Sequence, residues 1–531
     1  MGEKWPRRSV LLAPILLGLQ ALAPPRRRGP RPGGTLRLVL YEDPGGFDVH
    51  RDTTHTLYNR ARELFSTLVR YAPDAHRLEP ELLARLPEVS ADGRVYRFEL
   101  RPGVRFHDGV ELTAQDVRFT FLRILDPSTL SPHSGFLAPV EGAAEVMEGR
   151  TQELAGFREE GRYRFRVTLA APYTPFVHVL ALPAFSIYPR HAVEAAGPHW
   201  PFTPIGSGPF RLDSYQRDRL IRLVRHTGYF ETGLPYLDAV EYRVLPDALT
   251  AALEFEKGSL DVMRLVEPEL ARPGAPGSGG GRLLVGPSFN TYYLLFNVRQ
   301  PPFTDVRVRR AVAHAVDVGE MVDHLLRGRA ERAFGIIPPG ILAAQRLPLP
   351  APDPQEARRL LRESGFPNGL VVEALVPSGG TLFRWYEAVQ AMLWDVGLRL
   401  RLRPVDRATF LAARAQGRLA VHLGNWWAEF ADPDNFLYPL FHSTQSARYS
   451  GGYARPEVDR LLERARRAAD PDERIRLYRE AERIIVAEDV AALPLWHLHQ
   501  YAVVQPWVHG YAHHPTGLAA NSHRFVWLSG R

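Results

Sequence analysis

Residues 96–125 read YRFELRPGVRFHDGVELTAQDVRFTFLRIL. From Tyr96 to Leu100 apolar and polar side chains alternate, the period of a half-buried strand. Arg101-Pro-Gly103 is a turn, Val104-Arg-Phe106 a second short strand and His107-Asp-Gly109 another turn. Thr113-Ala-Gln-Asp116 is a capping-box variant, with a hydroxyl for the exposed amides and a carboxylate against the positive end of the helix dipole. The pattern predicts a helix from Val117 to Leu125, stopped at Asp126-Pro127. Strand, turn, strand, turn and helix in immediate succession point to a mixed α/β chain.

The same alternation extends outward. Thr35 to Tyr41 reads as a strand, with a helix predicted around Leu57 to Val69. Strands are predicted at Tyr163–Leu169, Leu220–Val224, Tyr236–Leu245, Leu398–Leu402 and Ala491–Val504. Pro204-Ile-Gly-Ser-Gly-Pro209 is a sharp turn before Phe210. Tyr292 to Phe296 is a continuous apolar run of buried-strand type. Asp305 is placed to cap a helix through Val316. Asp353-Pro-Gln-Glu356 and Asp470-Pro-Asp-Glu473 each offer an N-cap with proline in the first helical position. Gly274 to Gly281 is a Gly/Ser/Pro loop. No internal repeat is present, and the order of elements fits a multi-domain α/β protein.

The composition excludes several functions. The 531 residues are 45% hydrophobic and 24% charged, values of a globular chain with several domains or two large lobes. The 66 basic and 59 acidic residues leave only +7, without a run of five like charges, so a nucleic-acid-binding arm is not expected. There is no cysteine, which removes disulfides, thiolate metal sites, a thiol nucleophile and a lipid-modified N-terminal Cys. Lys4, Arg7 and Arg8 precede an apolar stretch from Val10 to Ala23 that ends in Ala21-Leu22-Ala23. This reads as an export signal over residues 1–23, too short to span a bilayer. Pro24 after that site disfavours cleavage there, so an uncleaved anchor stays open as the alternative. Residues 24–33 form a Pro/Arg/Gly leader. An exported, periplasmic protein is expected.

The usual catalytic motifs are missing. There is no P-loop and no H-E-x-x-H. Gly206-Ser-Gly208 lacks the third glycine of a dinucleotide fingerprint, and Ile205 two residues before Ser207 excludes a nucleophile elbow. His497 and His499 fall on one face of a strand, with His513-His514 nearby. Such pairs can bind a metal, although solvated histidines are the commoner outcome. The densest constellation is Asn425-Trp-Trp-Ala-Glu-Phe-Ala-Asp-Pro-Asp-Asn-Phe436. Large aromatics beside carboxylates suit a ligand with apolar groups and a cation. Asp432 to Asn435 reads as a helix cap. Glu429 is different, because an unpaired carboxylate among aromatics is costly without a purpose.

Together these segments resemble the extracellular solute-binding proteins of family 5, the dipeptide- and oligopeptide-binding components of bacterial ABC importers. Tyr96–Gly109 with Leu112–Val117, Gly206–Phe210, Asn297 with Pro302–Val312 and Asp317, and Ala428–Phe436 with Leu440-Phe441 carry the resemblance, over about residues 34–515. It implies a two-lobed α/β fold of periplasmic-binding-protein type, hinged by two strands and carrying an extra subdomain. One lobe would be split over 34–64, 184–289 and 493–531. The subdomain would be 65–183 and the second lobe 290–492, with crossovers near Tyr292–Asn297 and Pro494–His499.

The resemblance also implies a site. Counting back three residues from Asp432-Pro433 reaches Glu429, where peptide-binding members carry an aspartate for the peptide α-amino group. Asn425, Trp426, Trp427 and Tyr292 would run beside the ligand. Phe47-Asp48-Val49 resembles an L-D-P segment, and residues after it, to Thr54, would line the cleft from the other lobe. Arg384 is a candidate for a ligand carboxylate. A non-enzymatic binding protein without cofactor is implied, as a monomer that delivers short peptides to an inner-membrane permease. A metal complex, haem or another amphipathic solute is the alternative ligand, and an exported hydrolase the alternative of another class.

Overall fold

The computed structural model describes residues 29–72, 77–265, 280–517 and 522–530. The export signal of residues 1–23, residues 24–28 of the leader and residues 274–279 of the Gly/Ser/Pro loop lie outside the described residues. Among the described residues, no helix is long and apolar enough to cross a membrane.

The first large sheet has seven described strands. Their spatial order is Arg282–Gly286, Gln500–Val504, Val262–Arg264, Thr35–Leu40, Ala239–Val244, Leu220–Arg225 and Phe210–Gln216. Thr35–Leu40 pairs in parallel with Ala239–Val244 and meets Val262 in parallel, and the remaining pairs are antiparallel. One face of this sheet buries Leu36, Leu38, Val240 and Ala502 under the helix His55–Leu64. The second large sheet is antiparallel, in the order Ala330–Arg332, Ala492–Leu498, Asn290–Phe296 and Val421–Trp427. Beside it Leu370–Pro377 and Leu398–Val405 pair in parallel. A smaller sheet of Glu88–Val89, Val95–Glu99, Arg164–Thr168 and Phe157–Glu159 has its own core, including Phe98, Phe106, Phe121 and Phe165. The α/β class and the two-lobed architecture with an inserted smaller body agree with the sequence.

Local chemistry explains most elements. Asp116 accepts from the Thr113 amide at 2.9 Å and opens the helix Ala114–Leu125. Asp353 accepts from the Gln355 and Glu356 amides, both at 3.0 Å, at the start of Pro354–Glu363. Three expectations shift. The helix predicted at Leu57–Val69 spans His55–Leu64, because Phe65 turns extended against the 206–208 turn and Val69–Tyr71 pairs as a strand. Val104–Phe106 forms no ladder strand; it closes on residues 110–112 through the Phe106 and Leu112 amides, leaving one isolated bridge, Arg105 to Glu111. The first crossover lies at 287–289, ahead of the expected Tyr292–Asn297, while the second, at His499, falls within the expected Pro494–His499; at each the chain passes from one large sheet to the other. Tyr292–Leu295 and Ala492–Trp496 pair with each other inside the second sheet, since continuous apolar strands require neighbours on both sides.

The Gly206-Ser-Gly208 turn rests directly on the end of the first helix. The Gly208 amide donates to the Leu64 carbonyl at 3.0 Å. A Cβ at Gly208 would lie 2.5 Å from the Leu64 carbonyl carbon, and one at Gly206 2.0 Å from its oxygen. At Gly208 the three nearest atoms all belong to backbone, so no side chain can yield there. Gly208→Ala should therefore cost about 3 kcal/mol of unfolding free energy in urea. Gly135→Ala, which meets nothing within 4 Å, should leave the urea midpoint unchanged.

Candidate ligand-binding site

The strand Val421–Trp427 pairs with Asn290–Phe296, placing Trp426 opposite Thr291 and Asn425 opposite Tyr292. Successive side chains on a strand point to opposite faces. Trp426 therefore faces one way, while Asn425 and Trp427 share the other face with Tyr292. The Tyr292 hydroxyl interacts with both, and its ring stacks on Trp496 at 5.9 Å and meets Trp385 edge-on at 5.3 Å.

Beyond the strand the chain makes a short loop before the helix Asp434–Phe441. Asp432 is 2% exposed, and both its carboxylate oxygens receive Arg474 Nη2, at 3.0 and 2.9 Å. It also accepts from the Asp434 amide at 2.9 Å, so its part is structural. Asp434 lies 3.0 Å from Arg466 Nε and accepts from the hydroxyls of Tyr173 and Tyr478, both at 3.3 Å. The Asn435 Oδ1 accepts from the Glu429 amide at 2.9 Å and from the Trp426 indole at 3.3 Å. Phe430 turns into the core of the smaller body, and the Ala431 amide donates to the Tyr71 hydroxyl at 2.9 Å. With its neighbours fixed in this way, Glu429 projects into open space.

That space is a cavity of about 790 Å³, lined by Thr53 from the first lobe, by His133, Phe136 and Tyr173 among others from the smaller body, and by Trp426, Glu429, Asp434, Tyr438, Arg448 and Arg466 among others from the second lobe. Its size and its mix of aromatic walls with few charges are those of a small-molecule site. The Glu429 side chain is exposed toward the cavity, and the protein walls around it desolvate the carboxyl and lift its pKa to about 7. Among the described residues no cation forms an ion pair with it. Two groups near it, Tyr58 and His133, are uncharged. Tyr58, close enough to feel the Glu429 charge, sits with its hydroxyl 3.2 Å from His133 Nδ1. His133 Nε2 lies 3.1 Å from the Asp52 carbonyl, to which it donates, and burial lowers the pKa of this imidazole. The carboxyl thus borders the cavity with no ion-pair partner among the described residues.

The profile of the bacterial extracellular solute-binding proteins, family 5 Middle, matches residues 77–448, more than half of the chain. The chain belongs to the bacterial extracellular solute-binding proteins of family 5. It is 29% identical over 96% of its length to the probable di/tripeptide-binding protein 5 of Pseudomonas aeruginosa, of which 97% is covered. It is also 29% identical to the dipeptide-binding protein of Escherichia coli, over 91% of this chain and 93% of that one. In structure it resembles the ABC transporter-associated periplasmic binding protein DppA from Helicobacter pylori in complex with peptide STSA. There the TM-score is 0.77 and the identity 26%, with 94% and 98% of the two chains covered.

In this family 5 protein the sequence-nominated residues divide. Trp426 and Glu429 line the cavity. Asn425, Trp427 and Tyr292 form the group on the opposite strand face. Thr54 caps the helix His55–Leu64 through Leu57, and its neighbour Thr53 reaches the cavity. Arg384 is exposed on the helix Gly380–Asp395, 3.5 Å from Thr381 Oγ1, and is not among the cavity residues. His497 is 3% exposed and donates to the Asn290 carbonyl at 2.7 Å; burial brings its pKa down to about 4. His514 is held between the Thr516 hydroxyl and the Ala72 carbonyl. Among the described residues no group of three or more His, Asp or Glu is arranged to hold a metal ion. Tyr58, His133, Tyr173 and Tyr438 were not singled out from the sequence. They come from segments far apart in the chain, and no local motif announces them.

A raised carboxyl pKa has a testable sign. Between pH 4.5 and 7 the folded state binds a proton that the unfolded chain releases, so ligand-free stability falls as pH rises through that window. The Glu429 side-chain carboxyl, followed by NMR in ligand-free protein, should titrate near pH 7. Glu429→Gln should remove this contribution to the pH dependence of unfolding. Titration near 4.5 would mean that the cavity hydrates the group fully.

Proposed function

We propose that this protein is the exported binding component of an ABC importer, capturing short peptides in the cavity and delivering them to an inner-membrane permease. The observation that carries the reading is the unpaired carboxylate of Glu429, deep in a cavity with aromatic walls. A peptide α-ammonium supplies the missing cation. Peptide binding by the di/tripeptide- and dipeptide-binding relatives supports the same ligand class.

In this reading residues 1–23 direct export to the periplasm and 24–33 form a leader. Residues 34–64, 184–289 and 493–531 make the first lobe, 65–183 the extra subdomain and 290–492 the second lobe. The protein acts as a monomer, without cofactor and without catalysis. Trp426 supplies an apolar wall that tolerates varied side chains, while Tyr292, Asn425 and Trp427 stiffen the strand that carries it. Thr54 fixes the start of the helix that presents Tyr58. The lobes close on ligand by rotation at the two crossings, as hinged binding proteins do.

The test is calorimetric titration with free and N-acetylated di- and tripeptides. Acetylation should abolish measurable binding. Glu429→Gln should weaken the free peptides about 10–100-fold, the worth of a hydrogen bond to a charged group. Wild-type affinity should climb from pH 5 to pH 7 as Glu429 ionises, and the variant should lack that slope. Equal affinity for free and acetylated peptides would overturn the ammonium clamp.

A further inference from the structure

The second lobe meets the smaller body directly, away from the two chain crossings. Phe430 is 1% exposed and belongs to the core of the smaller body, whose other buried members all lie between Leu68 and Ile187. It is absent from both large cores of its own lobe. Its ring meets Phe136 edge-on at 6.2 Å. Beside it the Ala431 amide donates to the Tyr71 hydroxyl at 2.9 Å. At a second point Thr174 is held by the end of the helix Pro456–Arg467. Its amide donates to the Arg466 carbonyl and its hydroxyl to the Ala468 carbonyl, both at 2.9 Å. The neighbouring Tyr173 hydroxyl donates to Asp434 at 3.3 Å, and its ring lies 4.7 Å from the Arg466 guanidinium.

The two points are coupled within the second lobe. Arg474 bonds Asp432, in the loop that carries Phe430, and donates to the Ala465 carbonyl at 3.1 Å, in the helix that holds Thr174. Rotation of the second lobe would therefore withdraw Phe430 and break the Thr174 bonds in one movement. Phe430 also follows Glu429 directly, so one loop bears both the carboxyl that borders the cavity and the ring that fills the smaller body. The first lobe gives the cavity lining only Thr53. We propose that the smaller body is the latch of this binding protein. The second lobe shuts onto it, and burial of Phe430 together with the Thr174 bonds holds the closed form. Phe430 and Thr174 are positioning residues: they set how long a ligand is retained through contacts that no ligand makes. The inference rests on the hinged reading above and gives the inserted body a part in it.

The chain has no cysteine, so an introduced pair is the only site for spin labels. Arg158→Cys on the smaller body and Arg401→Cys on the second lobe, both exposed, report the separation of the two bodies by double electron–electron resonance. The labelled protein is measured without ligand and with saturating trialanine, alone and combined with Thr174→Val or Phe430→Ala. Two separations are expected, a closed one that matches the structure and an open one, with peptide favouring the first. Thr174→Val should lower the closed-to-open ratio about fivefold, and Phe430→Ala about tenfold or more. Trialanine should leave faster by similar factors. The ligand-free thermal midpoint should not move in either variant, because the open form already lacks these contacts. A single separation that neither variant changes overturns the latch, since the two bodies are then one rigid unit. So does a protein that never shows the closed separation. Phe430→Ala with unmoved separations and a midpoint lowered by several degrees also overturns it, as the behaviour of an ordinary core residue. If the variants shift the separations but trialanine does not, the latch stands and the peptide reading alone falls.

Discussion

The buried pair between Asp432 and Arg474 is the constraint on which the site depends. Two short contacts between side chains of 2% and 6% exposure lock the loop that follows the Val421–Trp427 strand onto the helix Pro471–Arg483. Removing one partner of such a pair leaves a bare charge in the interior, at about 3–5 kcal/mol. Held there, the loop can afford no rotation at Glu429: its amide is taken by Asn435, Phe430 is sunk in the neighbouring core and Ala431 is bonded to Tyr71. The backbone at Glu429 is fixed on both sides, while its carboxyl has no ion-pair partner among the described residues.

A second glutamate shows what that means. Glu482 is buried, and its pKa likewise rises to about 7. Its oxygens, however, accept from the Ile336 and Ile337 amides at 2.7 and 2.8 Å and from Gln345 at 2.8 Å. That acid is finished as a structural link. Glu429 shares the raised pKa but has no such set of donors among the described residues, and it opens on a cavity bounded by both lobes and the inserted body. The difference lies in hydrogen-bond completeness, and it separates an acid that links elements of the fold from one proposed to meet a ligand.

Much of the fold was legible because its signals are local. Asp305, Asp353 and Asp470 each sit one residue before a helix and accept from its first amides. Alternation marked the strands at Val95–Glu99 and Arg164–Thr168. Glu429 stood out because a carboxylate between aromatics calls for an explanation. The rest of the cavity did not stand out. Tyr58, His133 and Arg448 are ordinary residues in sequence, brought together by lobe packing. The division between Trp426 and Trp427 follows from the period of two along a strand, but it acquires meaning only once the cavity shows which face is wet. Gly206 and Gly208 are required by the close approach of Leu64, a contact across more than a hundred residues that no turn rule contains.

The central claim is that Glu429 stands unpaired in order to meet an ammonium group of a short peptide. Native mass spectrometry of the protein isolated from its own host's periplasm, with release of the bound molecule, tests it most directly. The account expects short peptides with free N-termini from the wild type, and their loss from Glu429→Gln. Recovery of a metal complex, haem or another solute without an amine, retained equally by the variant, would contradict it.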